Sequence, residues 1–368
     1  QYPINKELHL IGPVTMINKE DSLTCENMKF WYEIDSLQAF GKVDFRFKNY
    51  ELTTDSLMYV ETSGFRGYSF QASNNSKFND IKYQISADNI YYDDYTQIMN
   101  LFDSAEVKSI NQGAKGDKMN LVFKDSIIQN MTIKNNGYIF NEHKAIVNDV
   151  KYQSFKDEMN GNIIKVDFEN NALKRVLIEG MAESIYYVVN DSSRLIGFNE
   201  ATGDTMQFNY NNKELYQIYI GGDARGMFHP EKGQTKIDSV LKYRANKINY
   251  YLNEELSLLT DNVEINYQKT KLTSNNVKVN WKNNILYAAS NENEESKISS
   301  ANQNPISGQN LEFDLINKKG VINLGKTKVG SGMNSSYYKS NIIYREEPNI
   351  YHMHESIYTT CDHENPHY

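Results

Sequence analysis

The chain has 368 residues, of which 39% are apolar, 23% are charged and 12% are aromatic, and its formal net charge is −8. These proportions suit a folded protein of roughly two or three domains. The negative charge and the lack of a Lys/Arg cluster argue against a nucleic-acid-binding protein. No apolar run in the sequence reaches the roughly 18 to 20 residues of a membrane-spanning helix.

A short pattern recurs from the first strands onward: a small or polar residue is followed by apolar residues three and five positions later. It starts at Cys25, Thr54 and Ala87, and again at Ala182 and Ala245. The apolar pairs that follow these starts are Met28 and Phe30, Leu57 and Tyr59, Ile90 and Tyr92, Ile185 and Tyr187, and Ile248 and Tyr250.

A second type of segment often comes next, with an apolar residue, then Gly or Asp, then Ala or Val at alternate positions. Examples are residues 39–43, 101–107 and 259–263. Because side chains alternate between the two faces of a strand, this segment also predicts a strand with one apolar face.

A longer form of the pattern has apolar residues three, five and seven positions after its start. Its five starts are Gly116, Gly161, Gly203, Ser274 and Gly308. Mostly polar residues alternate with the apolar ones, which predicts strands that bury one face. The apolar residues are Met119, Leu121 and Phe123; Ile164, Val166 and Phe168; Met206, Phe208 and Tyr210; Val277, Val279 and Trp281; and Leu311, Phe313 and Leu315.

Three of these units continue into a second apolar strand in the same register. The parity of the apolar positions changes between the two strands, which predicts turns at Lys124-Asp125, Asn170-Asn171 and Asn211-Asn212. Two polar segments, residues 74–77 and 292–304, are expected to be exposed loops.

The repeat extends from about Leu8 to about Thr360 and returns every 20 to 45 residues or so. This predicts an all-β protein, an elongated antiparallel stack in which each unit buries its face mainly against its neighbours. A set of ordinary β-sandwiches is the alternative. A polar stretch at residues 152–160 interrupts the repeat and suggests two segments, 1–151 and 152–355, followed by a short tail, 356–368.

Several units resemble the OstA repeat of the LptA and LptD family of lipopolysaccharide transport proteins. The resemblance lies in ADNIYY at residues 87–92, AESIYY at 182–187, the segment 203–224 and AFGKV at 39–43. The segment SIYTTCD at residues 356–362 resembles the end of the LptD periplasmic region, and Pro366-His367-Tyr368 also looks like that junction. The resemblance covers almost the whole chain.

The resemblance implies a twisted antiparallel β-jellyroll, or two in tandem, whose groove shields the acyl chains of lipid A. Plain core packing is the alternative role for the same side chains. The implied groove-lining residues are Ile90, Tyr92, Met119, Leu121, Phe123, Ile164, Val166, Phe168, Ile185, Tyr187, Met206, Phe208, Tyr210, Ile248, Tyr250, Val277, Val279 and Trp281.

The resemblance also implies surroundings and partners for the protein. It places the chain in the periplasm of a Gram-negative bacterium, with residues 356–368 leading to an outer-membrane barrel and Cys361 forming a disulfide with that barrel. The implied partners are lipopolysaccharide, LptA-like or LptC-like proteins that pair with edge strands, and an LptE-like lipoprotein if a barrel follows.

The two cysteines are not expected to bond to each other. A stack of about 14 strands spaced about 4.8 Å apart would separate Cys25 from Cys361 by roughly 65 Å, whereas a disulfide needs Cα atoms within about 7 Å. Cys25 is therefore expected to be a buried thiol.

Catalysis is not expected, because an enzyme needs convergent polar groups in a pocket. None of the inward positions of the repeat is His, Asp, Glu or Lys, and no catalytic or cofactor-binding motif occurs. The group His352, His354, Cys361, His363 and His367 leaves zinc binding open, against a solvent-exposed strand end. An extracellular β-solenoid that binds or cleaves polysaccharide is the alternative function, and a passive scaffold is a third.

A recurrent Asp-Ser-apolar tripeptide, as at Asp103 and Asp125, resembles an O-glycosylation signal of some Gram-negative bacteria. Its plainer interpretation is a turn or the start of a strand.

Overall fold

The structure is a computed structural model that describes residues 6–18, 21–47, 49–62, 67–147, 151–170, 172–290, 294–300, 304–330, 336–347 and 350–361. These residues form a single antiparallel sheet of 23 strands. Among them there is no helix that could cross a membrane. The strands are β1 (Glu7–Asn18), β2 (Asp21–Trp31), β3 (Ser36–Phe47), β4 (Tyr50–Thr62), β5 (Gly67–Asn79), β6 (Gln84–Asp93), β7 (Ile98–Lys108), β8 (Gln112–Lys124), β9 (Ile127–Val147), β10 (Lys151–Glu169), β11 (Ala172–Val189), β12 (Leu195–Asn211), β13 (Glu214–Pro230), β14 (Leu241–Tyr251), β15 (Leu256–Tyr267), β16 (Thr270–Asn280), β17 (Ile285–Ala289), β18 (Ser296–Ser300), β19 (Ile306–Gly308), β20 (Asn310–Asp314), β21 (Gly320–Val329), β22 (Ser336–Glu347) and β23 (Ile350–Thr359).

The chain divides into two compact units. The first comprises Gln1–His143 and Lys156–Gly180, and the second comprises Lys144–Phe155 and Met181–Tyr368. Strands β9, β10 and β11 contribute residues to both units. The predicted segments 1–151, 152–355 and 356–368 stay a prediction.

Each strand pairs with its neighbours in sequence from β1 to β9 in the first unit and from β12 to β16 in the second. Beyond β16 the sheet continues as two half-width series. β17 and then β20 follow residues 276–280, whereas β18 and then β19 follow residues 270–273. β21 rejoins the two series by pairing with both β19 and β20. The predicted all-β, antiparallel fold class is confirmed.

Most pairings between neighbouring long strands shift register near the middle, and the extra residue lies on the odd-numbered strand. Between β7 and β8, for example, the paired residues advance from Phe102 to Ala105 on one strand but only from Lys118 to Gly116 on the other. Two consecutive residues with positive φ absorb the extra length, and Gly, Asn and Asp adopt this conformation with the least strain. The pairs are Gly41-Lys42, Asn74-Asn75, Asp103-Ser104, Asn135-Asn136, Gly180-Met181, Gly222-Asp223 and Asp261-Asn262.

The bulges explain the second type of sequence segment, in which Gly or Asp interrupts an apolar strand. They also correct one prediction. Residues 74–77 are not an exposed loop, because they lie inside β5, where Ser76 is buried. The prediction of a loop at 292–304 is also wrong in part, because β18 (Ser296–Ser300) lies within that segment.

The small residues that start each sequence unit form one continuous line of cross-strand neighbours in each unit, which we call the corner row. Larger side chains do not fit there: a Cβ atom added to Gly203 would lie 2.7 Å from Ile220 Cγ2. In the first unit the row includes Cys25, Val43, Thr54, Ser76, Ala87, Ala105, Gly116 and Gly137. In the second it includes Gly203, Ala224, Ala245, Val263, Ser274, Ser296, Gly308, Gly325 and Ser340.

Hydroxyl groups in the corner row bond to one another across the strands. The Oγ atoms of Ser274 and Ser296 are 2.8 Å apart, and Thr54 Oγ1 lies 3.0 Å from Ser76 Oγ. Ser274 also donates to the carbonyl of Ala289. These bonds satisfy polar groups that would otherwise be buried without partners at the bulges.

The sheet folds back on itself at the corner row. In β5, Phe70 and Phe78 are eight residues apart, which is about 26 Å in a straight strand. Their ring centroids are only 6.2 Å apart, so the two halves of β5 face each other across the bend at Ser76. We call the concave side the inner face. It carries the buried apolar side chains of each unit, whereas the outer face is largely polar.

Candidate functional site

Aromatic side chains cover much of the inner face of the first unit. Rings from the two halves of the folded sheet interdigitate, since the ring centroid of Phe45 lies 5.7 Å from that of Tyr59 and the centroid of Phe47 lies 5.0 Å from that of Tyr68. The connected set, which we call the aromatic cluster, comprises Phe45, Phe47, Tyr50, Tyr59, Tyr68, Phe70, Phe78, Tyr92 and Phe123.

One hydrogen bond joins the opposite margins of this folded sheet. Tyr50 Oη lies 2.9 Å from Ser126 Oγ, although these residues are 76 positions apart in sequence. Tyr50 begins β4, whereas Ser126 lies in the turn between β8 and β9. The bond is exposed, so water can replace it when the margins separate.

The tyrosine hydroxyls of the aromatic cluster lie in an environment that disfavours charge. Burial, with a smaller contribution from nearby carboxylates, raises the pKa of Tyr59 to about 12. The pKa values of Tyr68 and Tyr92 are raised further, again chiefly by burial. An apolar ligand suits such a surface better than an ionic one.

The predicted lining residues fall into two groups by exposure. Those near the corner row are fully buried and already pack as core: Ile90, Met119, Leu121, Ile164, Val166, Met206, Phe208, Ile248, Val277 and Val279. Those nearer the ends of the strand halves are only half-buried: Tyr92, Phe123, Phe168, Tyr210, Tyr250 and Trp281. The half-buried group is the part of the inner face that a ligand can reach first. Its lipid-lining role stays a prediction.

The structure places two predicted lining residues, Ile185 and Tyr187, on the other face. Ser184 is buried on the inner face, and side chains alternate along a strand, so its neighbour Ile185 and then Tyr187 point outward. Tyr187 contacts the ring of Phe198, which stacks on His229. The cause is the bulge at Met181 in β11. It lies just before Ala182, the small residue that starts this unit, and so changes which of the following residues face inward. ADNIYY in β6 has no bulge.

The inner face of the first unit also carries an ion pair, which the apolar repeat pattern does not predict. His143 Nδ1 lies 3.4 Å from Asp157 Oδ2, and the Asp157 side chain is buried. The hydrogen bond that His143 donates to Asp157 raises the pKa of His143, although burial opposes this shift. Alternation of apolar and polar residues does not predict this pair, because both residues occupy inner positions at which the repeat has apolar side chains.

Arg345 is a second charged side chain on an inner face, in the second unit. It lies five residues after Ser340 of the corner row, and only 4% of it is exposed. Its guanidinium donates to Ser300 Oγ at 2.8 Å and lies 5.6 Å from the centroid of the Phe313 ring. The repeat pattern does not predict a buried side chain here, because an arginine near the end of a strand usually faces outward.

The C-terminal histidines that the sequence singled out are only partly described. His352 Nε2 lies 2.6 Å from Glu346 Oε2 on the exposed surface, and His354 is also exposed. His363, His367 and the rest of 362–368 lie outside the described residues. The part of the chain that the structure describes contains no group of three or more His, Cys, Asp or Glu residues that could hold a metal ion.

The two cysteines differ in surroundings. Cys25 is a buried residue of the corner row, and burial raises the pKa of its thiol. Cys361 is half-buried, and its backbone N–H donates to Thr359 Oγ1 at 3.0 Å. The predicted disulfide of Cys361 with a barrel stays a prediction.

This chain is similar to a protein of known structure. No protein-family model matches its sequence, and no curated protein matches it. Among solved structures it is similar to LptH of Pseudomonas aeruginosa, described as the LptA-homologous periplasmic component of the lipopolysaccharide transport device. The two are 12% identical with a TM-score of 0.28, and the match covers 38% of this chain and 85% of LptH. A likeness this distant carries no argument about function.

Proposed function

We propose that this chain carries lipopolysaccharide through the periplasm, with lipid A acyl chains against the inner face and the sugars in water. The observation that carries the proposal is the inner face of the first unit. There nine aromatic rings touch one another, and no charged residue is buried among the described residues of β2 to β8. Such a surface favours hydrocarbon and disfavours ions.

The energetics suit a carrier rather than a tight binder. Each buried methylene contributes about 0.8 kcal/mol, so several acyl chains can compensate for leaving a bilayer. Because the apolar positions recur in the same register from strand to strand, adjacent sites offer similar affinity. A lipid can then move along the inner face without being held at one site of much higher affinity.

An acyl chain needs the two halves of the folded sheet to separate, because they are in contact here. The contact between the margins includes the exposed Tyr50–Ser126 hydrogen bond, whose net contribution is about 0.5 to 1.5 kcal/mol. The half-buried residues Phe123 and Tyr92 lie next to this margin. We infer that lipid first meets these side chains and displaces ring contacts inside.

We also infer a role without catalysis or a cofactor. His143 and Asp157, an imidazole and a carboxylate on the inner face of the first unit, bond to each other. This arrangement provides a stabilising ion pair rather than a poised acid and base.

Partner proteins would join at the two edge strands. β1 pairs only with β2 and β23 only with β22 among the described residues, so one margin of each strand is open for strand addition. Each edge exposes apolar side chains, including Ile11 and Ile17 on β1 and Ile357 and Tyr358 on β23. We propose LptA-like or LptC-like partners for these edges.

Binding measurements with intact and deacylated lipopolysaccharide test the proposal. The variant Phe123→Asp puts a charge on the inner face, and Val122→Asp puts the same charge on the outer face of the same strand. We expect the wild type and V122D to bind intact lipopolysaccharide and F123D to lose at least about tenfold in affinity. Urea unfolding of both variants shows whether each still folds.

Two results would contradict the proposal. Equal binding of the deacylated form would favour the polysaccharide-binding alternative, since the sugars alone would then suffice. Failure of the wild type to bind either form would favour a passive scaffold.

A further inference from the structure

The guanidinium of Arg345 is buried without an anionic partner among the described residues. Its one hydrogen bond goes to the neutral Ser300 hydroxyl, and its Nε atom is buried with no partner at all in the described part of the chain. No carboxylate of a described residue lies within ion-pairing distance. Burial lowers the pKa of Arg345, and the nearby Tyr351 opposes this shift.

A buried cation that lacks a counter-charge is unfavourable, and proteins rarely retain one without a function. The surroundings of Arg345 strengthen this argument. Arg345 lies directly across from Gly320 on β21 and Tyr351 on β23, in a line of inner residues that includes the buried Phe313 and Leu286. The space at Gly320 is already filled, since a Cβ atom there would lie 2.9 Å from the Glu312 carbonyl oxygen and 3.1 Å from Phe313 Cδ2. A methionine or leucine would fill the position of Arg345 without any penalty from buried charge.

The margin next to Arg345 carries lysines as well as a carboxylate, Glu346, which is bonded to His352 and interacts electrostatically with Lys319. Lys318 and Lys319 lie in the turn that precedes Gly320, and Lys282 lies in the neighbouring turn between β16 and β17. None of the three forms an ion pair with a described residue. The nearest acidic side chain of that turn, Asp314, is already bonded to the N–H groups of Ile316 and Asn317.

We propose that Arg345 binds an anionic group, a phosphate monoester or a carboxylate, with the neighbouring lysines at the margin of the second unit. Its forked N–H donors match two oxygens of such a group, and Nε supplies a donor that no described residue uses. This inference rests on the proposed function for its ligand, the phosphorylated head group of a lipid whose acyl chains lie on the inner face. Arg345 is two residues from the end of β22, so local opening at that margin exposes it.

Two measurements test the inference, one of lipid binding and one of thermal stability. The first compares diphosphorylated lipid A with the same lipid after phosphatase treatment, and the second compares the melting temperature in sodium phosphate with that in sodium chloride at equal ionic strength. We expect the wild type to bind the phosphorylated lipid about 10- to 100-fold more tightly and to melt higher in phosphate. Arg345→Met should lose both preferences, and Arg345→Lys should keep part of them.

Arg46→Met is the matched control, because Arg46 is exposed and already paired with Asp44 and Glu51. It should keep both preferences. If R345M does not fold, the inference is tested by comparing the two preferences of the wild type with those of R345K.

The possible failures are distinguishable. Equal binding of the two lipids by the wild type, or a preference that survives in R345M, would overturn the anion site and leave lipid transport intact. Stabilisation by phosphate that depends on Arg345, with no binding of either lipid, would support the anion site while contradicting the proposed function.

Discussion

Tyr243 and Tyr250 lie seven residues apart on β14, about 23 Å in a straight strand, yet their ring centroids are 6.0 Å apart. Ala245 of the corner row lies between them and marks the bend. Tyr243 Oη also donates to Asn199 Oδ1 at 2.8 Å. The pair therefore shows within one strand how the second unit encloses its inner face.

Alkaline pH should loosen this enclosure. Burial raises the pKa of Tyr243 to about 12, so the folded state holds its proton more tightly than the unfolded state does. The resulting stabilisation is complete below about pH 10 and is lost as the pH rises through about 12. Urea unfolding between pH 8 and 11.5 should show a steeper loss of the free energy of unfolding for the wild type than for Tyr243→Phe. Tyr287→Phe, which removes an exposed hydroxyl, should leave the slope as it is.

A methyl group at Gly203 should strain the corner row. In Gly203→Ala the new Cβ would lie 2.7 Å from Ile220 Cγ2, and we expect a loss of about 1 to 3 kcal/mol in the free energy of unfolding. The same change made in an Ile220→Ala background should be less destabilising, because the crowding atom is gone. Chemical denaturation of the four proteins measures this coupling. A loss that is identical in both backgrounds would rule out the steric account.

The bulge in β5 needs a residue that tolerates positive φ. Asn74 has a φ of 68°, so Asn74→Val should destabilise the protein by about 1 to 2 kcal/mol, whereas Asn74→Gly should change little. Lys77→Val is a suitable control, since Lys77 is exposed in regular strand geometry two residues beyond the bulge. If N74V proved as stable as N74G in urea, the positive φ could not be a constraint.

The His143–Asp157 pair should stabilise the first unit mainly under acidic conditions. The hydrogen bond that His143 donates to Asp157 raises the pKa of His143. The resulting stabilisation is fully present below about pH 6.5 and is lost as the pH rises through the folded-state value. The wild type should therefore exceed His143→Gln in free energy of unfolding by more at pH 5.5 than at pH 9. In an Asp157→Asn background the difference should shrink, because the hydrogen bond that raises the pKa of His143 is altered. A gap that widens with rising pH would contradict the assignment.

Much of the strand architecture could be predicted from the sequence. Alternation of apolar and polar residues is a local property, so strands such as β8 and β16 were found with the correct buried face. The turn between β8 and β9 was predicted at Lys124-Asp125 and lies at Asp125-Ser126, one residue later. The small residue that begins each unit was recognised, but its cause is the bend in the sheet, which the sequence does not display.

The rest depends on the bulges and on tertiary packing. An extra residue inside a strand shifts the parity of the apolar positions in the same way as a turn does, so Asn74-Asn75 resembled a loop. For the same reason AESIYY resembled ADNIYY although Ile185 and Tyr187 face outward. Arg345 and the His143–Asp157 pair are inner residues only because the sheet folds back over them, which alternation alone cannot reveal.

Site-specific photocrosslinking to lipopolysaccharide tests the central claim most directly. A benzophenone amino acid replaces Phe123 or Trp281, which are half-buried on the inner faces of the two units, or their outer-face neighbours Val122 and Asn280. The account predicts lipopolysaccharide adducts at 123 and 281 and none at 122 and 280. Adducts at neither inner position, or equal adducts on both faces, would contradict it.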